Sequence, residues 1–425
     1  MFKKADWIFN TDVYEVNLRQ YSQEGTINAF AGELLRLKNM GVSTLWFMPI
    51  TPIAEKNRKG SLGSQYACRD YTSVGEEYGT LEDFKIFVAK AHSMGFKVML
   101  DWVANHTGWD HIWTLTHPEY YKFDTIANDF KKASGMDDII ELDYQNPAMR
   151  QAMIDAMRFW VTECDIDGFR CDLAFWVELD FWIEARTELE KIKLLFWLAE
   201  SDPIDHPAYY QAFDACYTWA WMHKTAEFYK GSQDKRMLDE VLQQYNRVAG
   251  DDNLFLWFTS NHDENTWNGT EYEKYGDAAE ALAVFSFTWN GIPLIYSGQE
   301  LPNLKRLAFF DKDVIEWQGD YAKHDFYKTL LQLHKTHPAL KAGDRAVSTH
   351  LVHTNANDRL MVYLRKNEGR EVLVILNLSQ YVIDCRLQDE QVKGLFRNAF
   401  TGEQVTIDHS SRFMLDPWAY LIFEK

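Results

Sequence analysis

The sequence predicts an α/β fold: a (β/α)8 barrel over residues 1–342, with a small subdomain inserted after the third strand, and a C-terminal all-β sandwich over residues 343–425. Three observations carry this. Eight short apolar runs alternate with longer helical patterns up to about residue 335. One connection, 106–142, is too long for a simple turn. After about Gly343 no long helical pattern remains.

In order, the eight runs are Val13–Val16, Thr44–Met48, Lys97–Asp101, Gly168–Asp172, Leu194–Glu200, Phe213–Tyr217, Leu254–Ser260 and Pro293–Tyr296. Amphipathic helices such as Leu81–Met94 and Pro147–Glu163 lie between several of them. In the first helix Phe84, Phe87 and Val88 recur at i, i+3 and i+4, a face suited to packing on a sheet. Strands joined through helices run parallel, and eight of them close a barrel. The 106–142 segment is rich in aromatics and turn residues. Excursions of that length fall at the functional end of a barrel, so this one is expected to wall a cleft. Further on, Leu360–Leu364, Glu371–Leu378, Gln404–Asp408 and Ala419–Phe423 are strand-like and separated by Asn/Gly-containing turns, as in a sandwich.

Composition narrows the function. Hydrophobic residues make up 46% of the 425 and charged residues 25%, which describes an ordinary folded chain able to bury a large core. The formal charge is −19, from 63 acids against 44 Lys plus Arg. A nucleic-acid surface needs basic patches, and an anionic membrane or a phosphorylated substrate would be repelled, so neutral partners are left. Cys68, Cys164, Cys171, Cys216 and Cys385 are odd in number and include no C-x-x-C pair, against a disulfide framework or a zinc–thiolate site. The start, Met1 to Asn10, has no apolar run or cleavage site, and no stretch is long and apolar enough to span a bilayer, so the expectation is a cytoplasmic enzyme. Tryptophan and tyrosine combine a flat apolar face with a polar edge, which suits sugar rings. Trp102, Trp113, Trp176, Trp257, Trp267 and Trp289 all fall near expected strand ends.

Ionisable residues collect at those ends. Asp101 to His106 closes the third strand, Arg170-Cys171-Asp172 the fourth, Glu200 the fifth, and Asn261-His262-Asp263 the seventh. Charges there are costly unless they face solvent, substrate or one another, and in a barrel all these ends meet on one face. Arg170 and Asp172 are two apart and point to one side, so the Arg can hold the Asp ionised, as a nucleophile requires. Glu200 follows an apolar run, which suits an acid whose pKa is raised by burial. Asp263 supplies a third acid. Three carboxylates without a metal-ligand spacing pattern fit acetal hydrolysis, which needs no cofactor: one attacks the anomeric carbon and one protonates the leaving oxygen. Taken singly, Asp101 reads as structural, and His106 and His262 divide between core roles and donors to sugar hydroxyls.

These residues resemble the α-amylase family of glycoside hydrolases over nearly the whole chain. The likeness is carried by Asp101-x-x-x-Asn105-His106, Gly168-Phe-Arg170-x-Asp172, Glu200 and Asn261-His262-Asp263. Gln65-Tyr66 to Tyr71, Tyr78-Gly79-Thr80, Leu142-Asp143 to Asn146 and Gly291-Ile292-Pro293 support it. The resemblance implies retaining cleavage of α-1,4-linked glucans or maltodextrins, with Asp172 as nucleophile and Glu200 as acid/base. Asp263 would bind the 2- and 3-hydroxyls, His106 and His262 would donate to hydroxyls, Arg170 would orient Asp172, and Tyr66 would stack under the sugar. Many relatives carry Lys-His three and four residues after the nucleophile; here those places hold Phe175 and Trp176. An apolar acceptor platform of that kind keeps transglycosylation open beside hydrolysis, and Trp267 would stack on a neighbouring glucose or pack its loop. Asn105 and Asp143 match calcium-linked positions in relatives, which leaves calcium binding and structural hydrogen bonding both open there. A non-enzymatic sugar-binding protein would have lost one of the three acids, and none is missing.

Overall fold

The computed structural model describes residues 2–231, 234–250, 253–317 and 321–425. Eight parallel strands close a barrel: β1 (Val13–Val16), β2 (Thr44–Phe47), β3 (Lys97–Trp102), β4 (Gly168–Cys171), β5 (Phe196–Ala199), β6 (Ala215–Tyr217), β7 (Leu254–Trp257) and β8 (Ile292–Tyr296). Each pairs with its neighbour in sequence, and β8 pairs with β1. Side chains alternate between two cores. Val13, Trp46, Met99, Leu198, Tyr217 and Leu256 fill the barrel interior. Tyr14, Phe47, Val98, Leu100, Phe169 and Trp197 pack outward under the helices. Because both faces are buried, the strands read as continuous apolar runs. The expected strands ran slightly long, since Asp172, Glu200 and Ser260 lie past the last paired residues, where the chain turns out of the barrel.

The helices have local causes. Leu81–Ser93 opens on a capping box between Thr80 and Asp83 and buries Phe84, Phe87, Val88 and Ala91. Pro147–Cys164 is capped by the Asn146 side chain, which accepts from Ala148 and Met149, and Pro147 has no N–H to satisfy there. Between β3 and the second of these helices, His106–Gly108 pairs antiparallel with Ile139–Glu141, and Phe123–Asp124 with Asp129–Phe130. No helix among the described residues is long and apolar enough to cross a membrane.

After Pro338–Leu340 the chain forms strands only: β9 (Ser348–Leu351), β10 (Leu360–Asn367), β11 (Arg370–Asn377), β12 (Ile383–Arg386), β13 (Gly394–Asn398), β14 (Gln404–Ile407), β15 (Arg412–Leu415) and β16 (Tyr420–Glu424). Six make one sheet in the order β9-β10-β11-β16-β13-β14, and β12 pairs with β15 in a second. Period-two alternation splits β10 and β11 between two cores. Met361, Tyr363, Val372, Val374 and Leu376 face the barrel helices, whereas Leu360, Val362, Leu373 and Ile375 meet Ile383, Cys385 and Leu415 of the second sheet. Tyr363 Oη, 2.6 Å from Thr288 Oγ1, and Tyr420 Oη, donating to Glu280 at 2.9 Å, tie this region to the barrel. β9, β12, β13 and β15 were not expected; they are short and half exposed, so they carry little apolar pattern.

Candidate active site

The register of β3 and β4 sets Asp101 beside Arg170. Arg170 is fully buried, with its guanidinium carbon 5.0 Å from the Trp46 ring centre and 5.5 Å from that of Tyr217. Its Nη1 donates to Asp101 Oδ1 at 2.9 Å and to Asp172 Oδ1 at 3.0 Å. Its Nη2 lies 2.8 Å from Glu200 Oε2, an ion pair without hydrogen-bond alignment. Its Nε donates to Tyr217 Oη at 3.2 Å. One cation therefore faces three buried carboxylates. Glu200 Oε2 also accepts the Leu173 backbone N–H at 2.9 Å. Leu173 sits at φ 39°, ψ 50°, a costly left-handed conformation for leucine, and it turns the chain just after Asp172.

Burial first, and the Glu200 carboxylate next, push the Asp172 carboxyl well above the ordinary carboxylate range, against the pull of Arg170. Arg170 acts toward the ionised form of Asp172, and its charge is divided among three acids.

A second chain of bonds runs from β1. Glu15, fully buried, lies 2.5 Å through Oε1 from His262 Nδ1. His262 Nε2 is 2.8 Å from Tyr66 Oη, and Tyr66 donates its hydroxyl proton to Asp101 Oδ2 at 2.9 Å. With that proton committed, the bond between His262 and Tyr66 runs from Nε2–H to Tyr66 Oη. A carboxylate on Nδ1 and an acceptor on Nε2 together favour imidazolium. Burial opposes the charge, but Asp263 and Glu15 outweigh it and push His262 up to about 9. Asp263 Oδ2 stands 3.5 Å from Nε2.

Tyr66, His106, Asp172, Glu200, His262, Asp263 and Trp267 line one cavity of about 450 Å³. The inserted segment contributes Met136, Asp138 and Ile139 to its wall, and the loop after β8 contributes Phe309 and Phe310. The Tyr66 ring lies nearly parallel to His262, at 5.3 Å, and to Phe309, at 6.0 Å, and those two rings are 6.4 Å from each other. Trp267 is 53% exposed at the rim and rests on Phe309 and Phe310. Burial pushes His106 down to about 4, so its ring is neutral. Asn105 Nδ2 lies 3.3 Å from His106 Nδ1 and can only donate, which leaves the ring proton on Nε2, without a protein partner among the described residues.

Leu173 and Glu200 also border a second cavity of about 610 Å³. Two imidazole–aromatic stacks line it: Phe175 on His206 at 4.7 Å and 11°, and Trp219 on His223 at 5.6 Å and 20°. Trp176 does not share this surface. It stands edge-on beside Phe175 at 6.1 Å, which corrects the expected two-residue platform. The other tryptophans divide between packing and the site. Trp102, Trp257 and Trp289 are buried in the outer core, Trp113 packs on Tyr71 and Tyr120, and of the six only Trp267 lines the first cavity. Glu15, Trp219, Phe309 and His206 were not anticipated. For Glu15 a signal existed: it is the one acid in the apolar run Val13–Val16.

Asn105 and Asp143 take part in local hydrogen bonding. The Asn105 carbonyl accepts from Leu142 N at 3.1 Å, and Asp143 Oδ1 accepts from Gln145 N at 3.0 Å. Among the described residues no group of three or more carboxylate, imidazole or thiolate side chains is placed to share a metal ion.

Comparison with known proteins gives this arrangement a context. A maltogenic α-amylase from Thermotoga neapolitana has a solved structure that superposes with a TM-score of 0.89 at 29% identity, covering 99% of each chain. An α-amylase structure from Lactobacillus plantarum gives 0.87 at 29% identity, again over 99% of each. The α-amylase MalA of Haloarcula japonica is 26% identical over 446 residues, covering 96% of this chain, which spans 62% of that relative's length. The family model described as alpha amylase, catalytic domain, matches residues 10–133 and 117–337, which take in every barrel strand and all the acids around Arg170. The chain belongs to the α-amylase family.

Proposed function

We propose that the protein hydrolyses α-1,4-glucosidic bonds in starch-derived glucans or maltodextrins with retention of configuration. The observation that carries this is Arg170 reaching Asp172 and Glu200 through its two Nη atoms. A guanidinium spanning both acids favours the ~5–5.5 Å spacing of a retaining pair over the ~6.5–9.5 Å that an inverting pair needs for water.

In the first step an Asp172 carboxylate oxygen bonds to the anomeric carbon as the glycosidic C–O bond breaks. The Glu200 carboxyl gives its proton to the leaving oxygen. In the second step the Glu200 carboxylate takes a proton from water, whose oxygen bonds to the anomeric carbon and releases Asp172. The bond from Arg170 Nη1 stabilises Asp172 each time it leaves as an anion. Asp263, next to the His262 imidazolium, accepts from sugar hydroxyls, and His106 Nε2–H donates to one. Tyr66, locked by its bonds to Asp101 and His262, provides the face under the ring.

Transfer to a sugar acceptor is a second reading, and the stacks Phe175–His206 and Trp219–His223 beside Glu200 favour it. They present aromatic faces to a second sugar where water would otherwise attack. Incubation with maltotriose alone separates the two: products longer than the input mean transfer, and only shorter ones mean hydrolysis. Intact maltotriose, together with an Asp172→Asn variant of unchanged behaviour on every α-glucan tried, would reject both.

A further inference from the structure

The first cavity, of about 450 Å³, has room for a drug-sized ligand rather than for a polymer strand passing through. It meets the second cavity at Leu173 and Glu200, whereas Lys59, Asp138 and Phe310 line the first and not the second. Those three come from separate connections: the one after β2, the inserted segment and the loop after β8. Lys59 joins them. Its Nζ is 2.6 Å from Asp138 Oδ1 and 5.8 Å from the centre of the Phe310 ring.

Bonds behind Lys59 hold this wall together. The Leu62 N–H donates to Phe310 O at 2.9 Å, and the Ser61 N–H and hydroxyl donate to Asp311 Oδ1 at 2.7 and 2.6 Å. Gly60 sits at φ 62°, and a Cβ there would lie 2.5 Å from that of Phe310, so the two loops touch where only glycine fits. Deeper in, the buried Arg19 donates through Nη1 to Gly63 O at 2.8 Å and to Phe309 O at 3.3 Å. Glu77 holds its Nη2 at 2.8 Å. Asp138 is buried, so its charge needs a cation, and it also acts on the neighbouring His106 ring. The wall therefore stands close behind the sugar that His106 would contact. The Lys59 side chain is 38% exposed, and an ammonium carries three donors, so the bond to Asp138 leaves others for a ligand.

We propose that Lys59 is the stop for the non-reducing end of the chain, so that the protein removes glucose or maltose from that end instead of cutting within the chain. This rests on the hydrolytic reading above, in which the leaving, reducing-side portion faces Glu200 and the second cavity. The portion that must fit in the first cavity is then the non-reducing one. A terminal glucose presents a free 4-hydroxyl to the Lys59 ammonium. An internal glucose, extended through that oxygen, meets the wall.

Maltoheptaose, compared with the same heptasaccharide carrying a 4,6-O-ethylidene group on its non-reducing-end glucose, tests this. Consumption and first products are followed by chromatography. Wild type is expected to favour the free chain at least about 50-fold in kcat/KM, with glucose or maltose as the first short product. Lys59→Ala should reduce that ratio at least about tenfold, and Lys59→Arg, which can keep the pair with Asp138, should hold it within about threefold. Equal consumption of the two heptasaccharides by wild type, as for a chain that runs out past Trp267, would overturn the proposal whatever the variants do. So would an unchanged ratio in Lys59→Ala. Failure of the hydrolytic reading shows separately, as free maltoheptaose left intact by wild type.

Discussion

Replacing Glu15 by Gln keeps the shape of β1 and removes one charge. Burial opposes the His262 imidazolium, and Asp263 and Glu15 bring its pKa to about 9. Arg170 acts against them, and Tyr66 takes the Nε2 bond. Set against an ordinary imidazole near 6.5, the rise corresponds to roughly 3 kcal/mol of preference for the charged ring. Without Glu15 the pKa is expected to return to about 6.5 or below. At pH 8 the charged fraction then falls from about nine-tenths to about 3%, roughly 30-fold. If the imidazolium holds Asp263 and the sugar in place, kcat/KM on maltotriose at pH 8 should fall by about that factor, with a loss of only a few-fold near pH 5.5. The alkaline limb should move down by about two pH units, and the His262 Cε1–H resonance should titrate in step. The same linkage affects folding. A raised imidazole pKa contributes stability that is full below about 6.5 and lost as pH rises through about 9, so wild type should lose stability over that interval and Glu15→Gln less. An alkaline limb and a His262 titration that both stay in place in Glu15→Gln would refute the reasoning.

Asp172→Asn should lower kcat by about 10⁴-fold or more on every α-glucan, because no covalent intermediate can form. Glu200→Gln should do the same for natural substrates but retain a burst with an aryl maltoside whose leaving group needs no proton, seen by rapid mixing. Arg170→Met strips the cation from three buried acids and should cost about 3–5 kcal/mol in urea unfolding at neutral pH, with part recovered as pH falls and the acids protonate. Gly168→Ala should destabilise the chain by about 1–3 kcal/mol, because a Cβ there would lie 2.4 Å from the Phe196 carbonyl oxygen across the β4–β5 pair. Phe175→Ala removes one stack beside Glu200; the ratio of longer to shorter products from maltotriose should fall several-fold if acceptors bind there.

Much of this was legible in the chain itself. Every barrel strand could be found, since a strand buried on both faces leaves an unbroken apolar run such as Phe196–Ala199. The acids at the strand ends were legible for a related reason: a charge that stops such a run needs a partner, and barrel closure brings those partners together. Short, half-exposed strands such as β9 leave no such trace. Nearness of a tryptophan to a strand end does not say which layer its ring enters; Trp102 and Trp257 face the helices.

The sequence by itself determined the barrel, the three acids and the order in which they arrive, because local apolar patterning and covalent order are written along the chain. Tertiary structure alone decided how their charge is shared. The division of Arg170 among Asp101, Asp172 and Glu200, and the bond from Glu15 to His262 across 247 positions, exist only once β1, β3, β4 and β7 close on one another. Electrostatic coupling depends on distance in space and on exclusion of water, and neither is a property of sequence separation.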